Sequence, residues 1–532
     1  MILFYKLVII LICRLLLKKN KIMLINSFIP HFFLISSFLL LLIANVLMVR
    51  SRDSYHRIFF DELFTQTTFT LFSVLILIFS SKVYGFSADY NFKVSFGSNL
   101  IQAITVIFML LSLPSITLSF RLQKLNFFEF FIIMQIVLLS LFFIVNANSL
   151  LALFVSIELF ALCSIIFVSF KKTSAFSTEA GLKYFIYSAI FSSIFLLGCG
   201  CIYVICGSVN FDTIFYYASI LQIDSKNDIY FIFQLGILLI SCWFLFKLTS
   251  APFHSWASEV YDGAPLAATI FLSIVPKFPL ILVFAKWNTL LLTIFFDQNS
   301  GSTLYFCGLL SCLIGFFSAL GQPKLKKLFI FSSIGNLGYI ISLAYMDSLN
   351  SQQILVIFAL IYFFTAVVTW SIIALLYLIE AHRSHHAKDT FRSINLTMLI
   401  GLYSKNKSFA IIIAIVMFSL SGIPPMLGFF AKFQFFSALV SEQFYGSAIF
   451  FIFLGSIAVF YYIQLIEVMF FTDTSGDIRN REEPISFFEN DESIASLTIS
   501  IMVFLGISLV FGLYFPDLII NIANLVLTSY LI

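Results

Sequence analysis

Apolar runs long enough to cross a bilayer recur along this chain, and they leave it one class of fold. A spanning helix needs about 20 mostly apolar residues. Runs of that kind lie near 24–48, 64–83, 99–120, 127–146, 149–170, 181–206, 230–250 and 262–288. More follow near 303–320, 328–346, 353–380, 410–440, 446–471 and 494–515. They predict an all-α, polytopic transmembrane bundle of about fourteen helices. A β-barrel would show alternating segments of about ten residues, which are not seen here.

Lipid as the solvent follows from the same residues. Of 532 residues, 61% are hydrophobic and 11% are charged, against about 45–50% and about 25% in soluble domains. Such a chain cannot cover a water-facing surface. Its net charge of +4 is small and no basic stripe with interleaved aromatics appears, which argues against nucleic acid as a partner. The 70 phenylalanines fit translation from an A+T-rich genome, such as an organelle's. Cys13, Cys163, Cys199, Cys201, Cys206, Cys242, Cys307 and Cys312 lie in or beside apolar runs without a C-x-x-C pair. They read as small buried hydrophobes and imply neither a metal site nor a disulfide framework.

The first 23 residues hold an apolar run interrupted by Arg14 and followed by Lys18, Lys19 and Lys21. A signal peptide would carry its charge first and end at small residues, so this segment reads as an amphipathic or short extra spanning element. Basic residues set the orientation. Arg50, Arg52 and Arg57, Arg121 and Lys124, Lys171 and Lys172, and Lys324, Lys326 and Lys327 all fall in odd-numbered loops. So do Arg383, Lys388, Arg392, Lys405, Lys407, Arg479 and Arg481, whereas the even loops hold little beyond Lys82, Lys93 and Lys226. The odd loops are therefore expected to face the cytoplasm, or the matrix of a mitochondrion. Two polar connections, 381–407 and 472–493, look like surface loops, and no Gly-rich phosphate loop appears. Direct ATP or NADH chemistry in this chain is not expected.

Charges inside the spans carry the functional signal. A charged side chain near the bilayer centre costs about 2.5–3.5 kcal/mol and marks ion pathways. Glu158 lies in LALFVSIELFALCSIIF, Lys183 in STEAGLKYFIYSAIF and Lys247 in SCWFLFKLTSAPF. Lys277 lies in FLSIVPKFPLILVF and Lys432 in GIPPMLGFFAKFQFF. Some lysines at such positions snorkel to the interface. Burial disfavours a charged lysine and a carboxylate neighbour favours it, so a line of such groups suits stepwise proton transfer. Pro252 follows Lys247, and Pro424-Pro425 precedes Lys432. Both helices should therefore break, and irregular backbone at membrane depth must line a cavity or be buried in protein. Paired broken helices, each with an intramembrane charge, point to a transporter built from inverted repeats. His254, in APFHSWASEVYDGAP beside Glu259 and Asp262, titrates near neutrality and suits a proton shuttle. A solvated loop histidine is the other reading.

The runs STEAGLKYF, FKLTSAPFHSWASEVYDGAP, KLKKLFIFSSIGNLGY and SGIPPMLGFFAKF resemble NADH dehydrogenase subunit 2, the antiporter-like, proton-pumping family of respiratory complex I. The run YYIQLIEVMFF is closer to the mitochondrial branch than to the plastid one, and the resemblance extends from about Phe127 to Phe471. It implies two inverted five-helix repeats with the seventh and twelfth spans broken. The domains would be an N-terminal extension at 1–23, spans 1–3 at 24–120, a first repeat (spans 4–8) at 121–288 and a second (spans 9–13) at 303–471. A matrix loop, span 14 and a tail would fill 472–532.

Of the site residues, the resemblance implies a coupled Glu158–Lys247 pair with Lys183 alongside. Lys277 would be the central relay, Lys432 the terminal group, and His254 would sit between the Lys247 and Lys277 regions. Asn336 stands where the family usually carries His, which suggests that water carries that step, and the acidic pair Glu259/Asp262 is reversed in order. The chain would itself bind no cofactor. FMN, iron–sulfur clusters and ubiquinone would belong to other subunits of NADH:ubiquinone oxidoreductase. Its partners would be membrane-arm subunits, including neighbouring antiporter-like ones, together with lipids and protons, in the mitochondrial inner membrane. An Mrp-type cation/proton antiporter subunit, a plastid NDH-type subunit and a structural membrane scaffold are the alternatives.

Overall fold

The computed structural model describes residues 28–49, 56–81, 84–86, 90–123, 129–221, 228–295, 302–346, 348–383, 395–471 and 492–531. The extension at 1–23 with Cys13 and its basic cluster lies outside them, as does most of the 472–493 loop and the middle of the 381–407 loop. Arg50, Arg52, Lys82, Lys124, Lys226, Lys388, Arg392, Arg479, Arg481 and the side chains of Arg57 and Arg383 lie outside them too.

The chain opens with α1 (Ile29–Val49) and α2 (His56–Ser80), then a two-residue antiparallel hairpin, β1 (Gly85–Phe86) and β2 (Lys93–Val94). Next come α3 (Phe96–Leu122), α4 (Glu129–Asn146), α5 (Leu150–Val168) and α6 (Ala175–Cys206). Local chemistry starts these helices where polar residues interrupt the apolar runs. Ser95 and Ser98 form a reciprocal capping box on α3, and the Ser149 hydroxyl accepts the Ala152 N–H at the start of α5. Pro114 is carried inside α3 without ending it.

A short α7 (Phe211–Leu221) precedes α8 (Asp228–Lys247), which stops at Lys247 and resumes as α9 (Ser255–Gly263). Pro252 supplies no N–H in this gap. The freed carbonyl of Leu245 is met by the Ser250 N–H at 3.0 Å and the Ser250 hydroxyl at 2.9 Å. The expected span at 262–288 is itself divided into α10 (Leu266–Ile274) and α11 (Lys277–Phe295), with Pro276 at the joint. This third interruption goes beyond the two that the sequence suggested.

The second half runs through α12 (Ser302–Leu320), α13 (Leu325–Tyr345), α14 (Leu349–Arg383), α15 (Leu402–Lys405) and α16 (Lys407–Ser421). The 410–440 run then breaks as expected. Gly422, at φ 81°, ends α16 with its N–H on the Phe418 carbonyl, and α17 (Leu427–Ser441) follows Pro424-Pro425. A left-handed φ of this kind favours glycine. After α18 (Tyr445–Phe470) and α19 (Glu492–Phe511), the expected tail forms a further short helix, α20 (Pro516–Val526), and a last turn at Leu527–Leu531. Pro516 starts α20 and Asp517 suits its positive end.

Among the described residues eleven helical spans are long and apolar enough to cross a membrane, α10 and α11 together making one of them, and α8, α16 and α17 are shorter apolar pieces at the breaks. Helices α10, α11, α13 and α14 are buried along nearly their whole length and form the centre. Helices α2, α6 and α18 form the outer wall, where exposed Phe185, Ile186 and Ile190 on α6 and Ile449, Ile452 and Phe460 on α18 suit lipid or a neighbouring chain. The chain is an all-α, multi-pass membrane protein.

Candidate functional site

The first break gathers two buried lysines. Lys247, 5% exposed, is the last residue of α8 and donates to the Tyr184 hydroxyl on α6 at 3.1 Å. Its Nζ also lies 5.3 Å from the Phe160 ring, 5.0 Å from that of Tyr184 and 5.5 Å from that of Phe246. Aromatic faces attract a cation and exclude water. Lys277, 2% exposed, starts α11 beside Pro276 and donates to the Thr249 hydroxyl at 3.2 Å. Thr249 belongs to the same break and holds φ 58°, which a β-branched residue rarely adopts. The interruption after Lys247 thus supplies the acceptor for Lys277.

Glu158 lies mid-helix on α5, two residues from Phe160. It is half-buried, and its Oε1 is shielded from solvent without a hydrogen-bond partner in the structure. A shielded carboxylate oxygen of that kind calls for a hydrogen-bond donor such as water. No ion pair joins Glu158 to Lys247 among the described residues. The Phe160 ring, on the same helix as Glu158, lies 5.3 Å from Lys247 Nζ.

Lys183 precedes Tyr184, which binds Lys247, and its own ammonium is held by carboxylates. It is 40% exposed and pairs with Glu179 at 2.9 Å and Glu259 at 2.7 Å. All three border a cavity of about 390 Å³, walled also by Lys171, Asp262, Lys324, Lys326 and Lys327. These residues come from the α5–α6 connection, the start of α6, the end of α9 and the start of α13, which share one face of the bundle. Asp262 pairs with Lys324 at 3.0 Å and Lys327 at 3.6 Å. Lys326, 6% exposed, turns inward and donates to the main-chain oxygens of Ala264 at 2.9 Å and Asp262 at 3.3 Å. His254 is half-buried at the N-terminal edge of α9. The hydrogen bonds of Lys247 and Lys277 go to Tyr184 and Thr249, not to this imidazole.

The second break holds Lys432. It is half-buried on α17, and its Nζ donates to the main-chain oxygens of Leu420 at 2.9 Å and Ser421 at 2.8 Å, where α16 runs out. Those carbonyls have no intrahelical partner and mark the negative end of the helix dipole. A cavity of about 20 Å³ touches Lys432, Asn336, Tyr362, Thr365 and Ser419, enough for about one water. Asn336 is buried and donates to the Ser332 carbonyl at 3.0 Å. Tyr184, Thr249 and Lys326 were not singled out in the sequence. Two are hydroxyl residues among many, and Lys326 sits in a basic run that reads as a surface loop.

A lipid-facing bundle whose broken helices end on buried lysines is the architecture of an antiporter-type transmembrane protein. Residues 147–460 match the family described as NADH:quinone oxidoreductase/Mrp antiporter, transmembrane, and the chain belongs to that family. It is 32% identical to "NADH-ubiquinone oxidoreductase chain 2" of Marchantia polymorpha over 453 residues, 83% of this chain and 88% of the relative. Its fold is similar to a chain in respiratory complex I from Thermus thermophilus, with TM-score 0.68 and 19% identity over 93% of this chain and 99% of that one. It is also similar to a chain of the Mrp complex from Dietzia, with TM-score 0.74 and 16% identity over 95% and 97% of the two chains.

Proposed function

We propose that the chain is a proton-translocating membrane-arm subunit of NADH:ubiquinone oxidoreductase in the mitochondrial inner membrane. The observation that carries this reading is that Lys247, Lys277 and Lys432 are all seated at helix interruptions inside an otherwise apolar bundle. Protons enter from the face that bears the Lys183–Glu259 pair. They pass to Lys247 at the Tyr184 hydroxyl, aided by Glu158, and cross the first break to Lys277 at Thr249. Water beside Asn336 serves the step to Lys432, and His254 serves exchange at the edge of the first break. Each transfer moves a proton between an ammonium, a hydroxyl, a carboxyl or a water.

In this reading residues 121–288 and 303–471 act as two inverted repeats, after spans 1–3 at 24–120 and before span 14 and the tail at 472–532. The redox chemistry lies in other subunits, which hold FMN, iron–sulfur clusters and ubiquinone. Neighbouring antiporter-like subunits and lipid cover the exposed faces of α6 and α18.

Reconstitution of the assembled complex into vesicles tests the relay. Lys247→Ala and Glu158→Gln are expected to leave the helices inserted and to cut proton translocation roughly tenfold or more. Unchanged translocation in both would exclude it. The Dietzia Mrp fold supports a second reading, a cation/proton antiporter subunit without a redox partner. Native-gel separation with mass spectrometry separates the two: co-migration with NADH-oxidising subunits favours the first, and isolation or other antiporter chains alone favour the second.

A further inference from the structure

On the face opposite the Lys183 cavity, a second cavity of about 320 Å³ is bordered by Lys93, Asn148, Asp212, Lys286 and Tyr530. Its walls are strand β2, the α4–α5 turn, the start of α7, the middle of α11 and the last turn at Leu527–Leu531. Beneath it lies a void of about 10 Å³ lined by Leu153, Val283 and Trp287. Lys286 and Tyr530 border both spaces. The upper one has room for several waters. The lower one sits at the threshold of about 10–15 Å³ for a single water.

Tyr530 is held in place as the partition. Its hydroxyl donates to the Val145 carbonyl at 2.9 Å, and its ring lies 5.0 Å from Lys286 Nζ. The Phe211 ring flanks the same Nζ at 5.8 Å. The last turn is tightly seated on α3, since a Cβ added at Gly97 would stand 2.6 Å from Ser529 Oγ and from Tyr530 Cβ.

We propose that Lys286 exchanges protons with water at this opposite mouth, and that the segment Leu527–Leu531 is the lid that separates the mouth from the buried lysines. The inference rests on the proton-translocation reading above. The step is a proton transfer between Lys286 Nζ and cavity water, with no other bond changed. Lys93 and Asp212 are the charged groups that share the cavity. When the ammonium gives up its proton, its attraction to the Tyr530 ring is lost. The lid is then held by the Val145 bond and by packing. Lys286 stands nine positions beyond Lys277 on α11, about 13.5 Å at 1.5 Å per residue. A proton therefore continues only when water enters the void under Tyr530.

Lys286→Arg in the intact complex is the test. Arginine keeps the charge and the ring contact but does not deprotonate, so a purely structural role tolerates it. The variant complex is expected to assemble and to translocate protons roughly tenfold more slowly, and wild-type translocation overturns the proposal. A second measurement stands apart from pumping. Lys286→Cys is expected to react with a membrane-impermeant maleimide added from the Lys93 side, read by peptide mass spectrometry, and to react faster once residues 527–532 are removed. No labelling in either case also overturns it. Lys247→Ala run alongside separates the two readings. If it also pumps normally, the relay itself has failed. If it is impaired while Lys286→Arg is not, only the second mouth has failed.

Discussion

Lys277 donates to the hydroxyl of Thr249 at 3.2 Å, although 28 residues separate them, and Thr249 stands two positions beyond Lys247 in the break that ends α8. One interruption therefore terminates the helix of one buried lysine and furnishes the acceptor for another. This ties the two groups into one unit.

Thr249→Val tests that tie. Valine is also β-branched, so the demand of φ 58° on the backbone changes little. What is lost is the acceptor, which leaves a buried donor unpaired at about 1–3 kcal/mol. Proton translocation in proteoliposomes is expected to fall while the complex still assembles, and Thr249→Ser is expected to restore it.

Asn336 borders the small cavity beside Lys432. Asn336→Leu removes one of the polar partners a buried water needs, so translocation is expected to slow roughly tenfold. Asn336→His, which keeps a polar, hydrogen-bonding side chain at that place, is expected to retain most activity. Equal rates for Leu and the wild type would show that the step bypasses this helix.

Gly422 combines φ 81° with close approach, since a Cβ there would meet Lys432 Cδ at 2.6 Å. Gly422→Ala is expected to cost about 1–2 kcal/mol from the left-handed backbone alone and to displace the lysine from the Leu420 and Ser421 carbonyls. Thermal unfolding of the solubilised complex and its translocation rate should fall together.

Glu259 and Lys183 form a half-exposed pair in the large cavity, open to screening by salt. Glu259→Gln is expected to leave assembly unchanged and to slow proton uptake from that face. The wild type should slow in the same direction as ionic strength rises, and the variant should have lost most of that salt dependence.

Much of this was legible in the sequence. The apolar runs mark the membrane bundle, and Pro252 and Pro424-Pro425 mark two breaks where helices do stop. Pro276 was equally visible, yet a proline alone does not decide: Pro114 sits within a continuous α3, while Pro276 parts α10 from α11. Packing around each proline settles the outcome, and packing is not written locally. The same holds for Lys183. Its partner Glu179 is four residues back and could be found on one helix face, but Glu259 is 76 residues away. Lys326 shows the limit most plainly, since Lys324 and Lys327 lie towards the cavity while the residue between them is buried.

Lys326 and Lys432 both rest on main-chain oxygens at points where a helix runs out. A peptide carbonyl has no proton to gain or lose at any physiological acidity. The acceptors that hold these two lysines therefore carry no titratable group of their own, whereas those that hold Lys183 are side-chain carboxylates. Two of the lysine seats are thus set by the polypeptide backbone itself, in a way no side-chain protonation can alter.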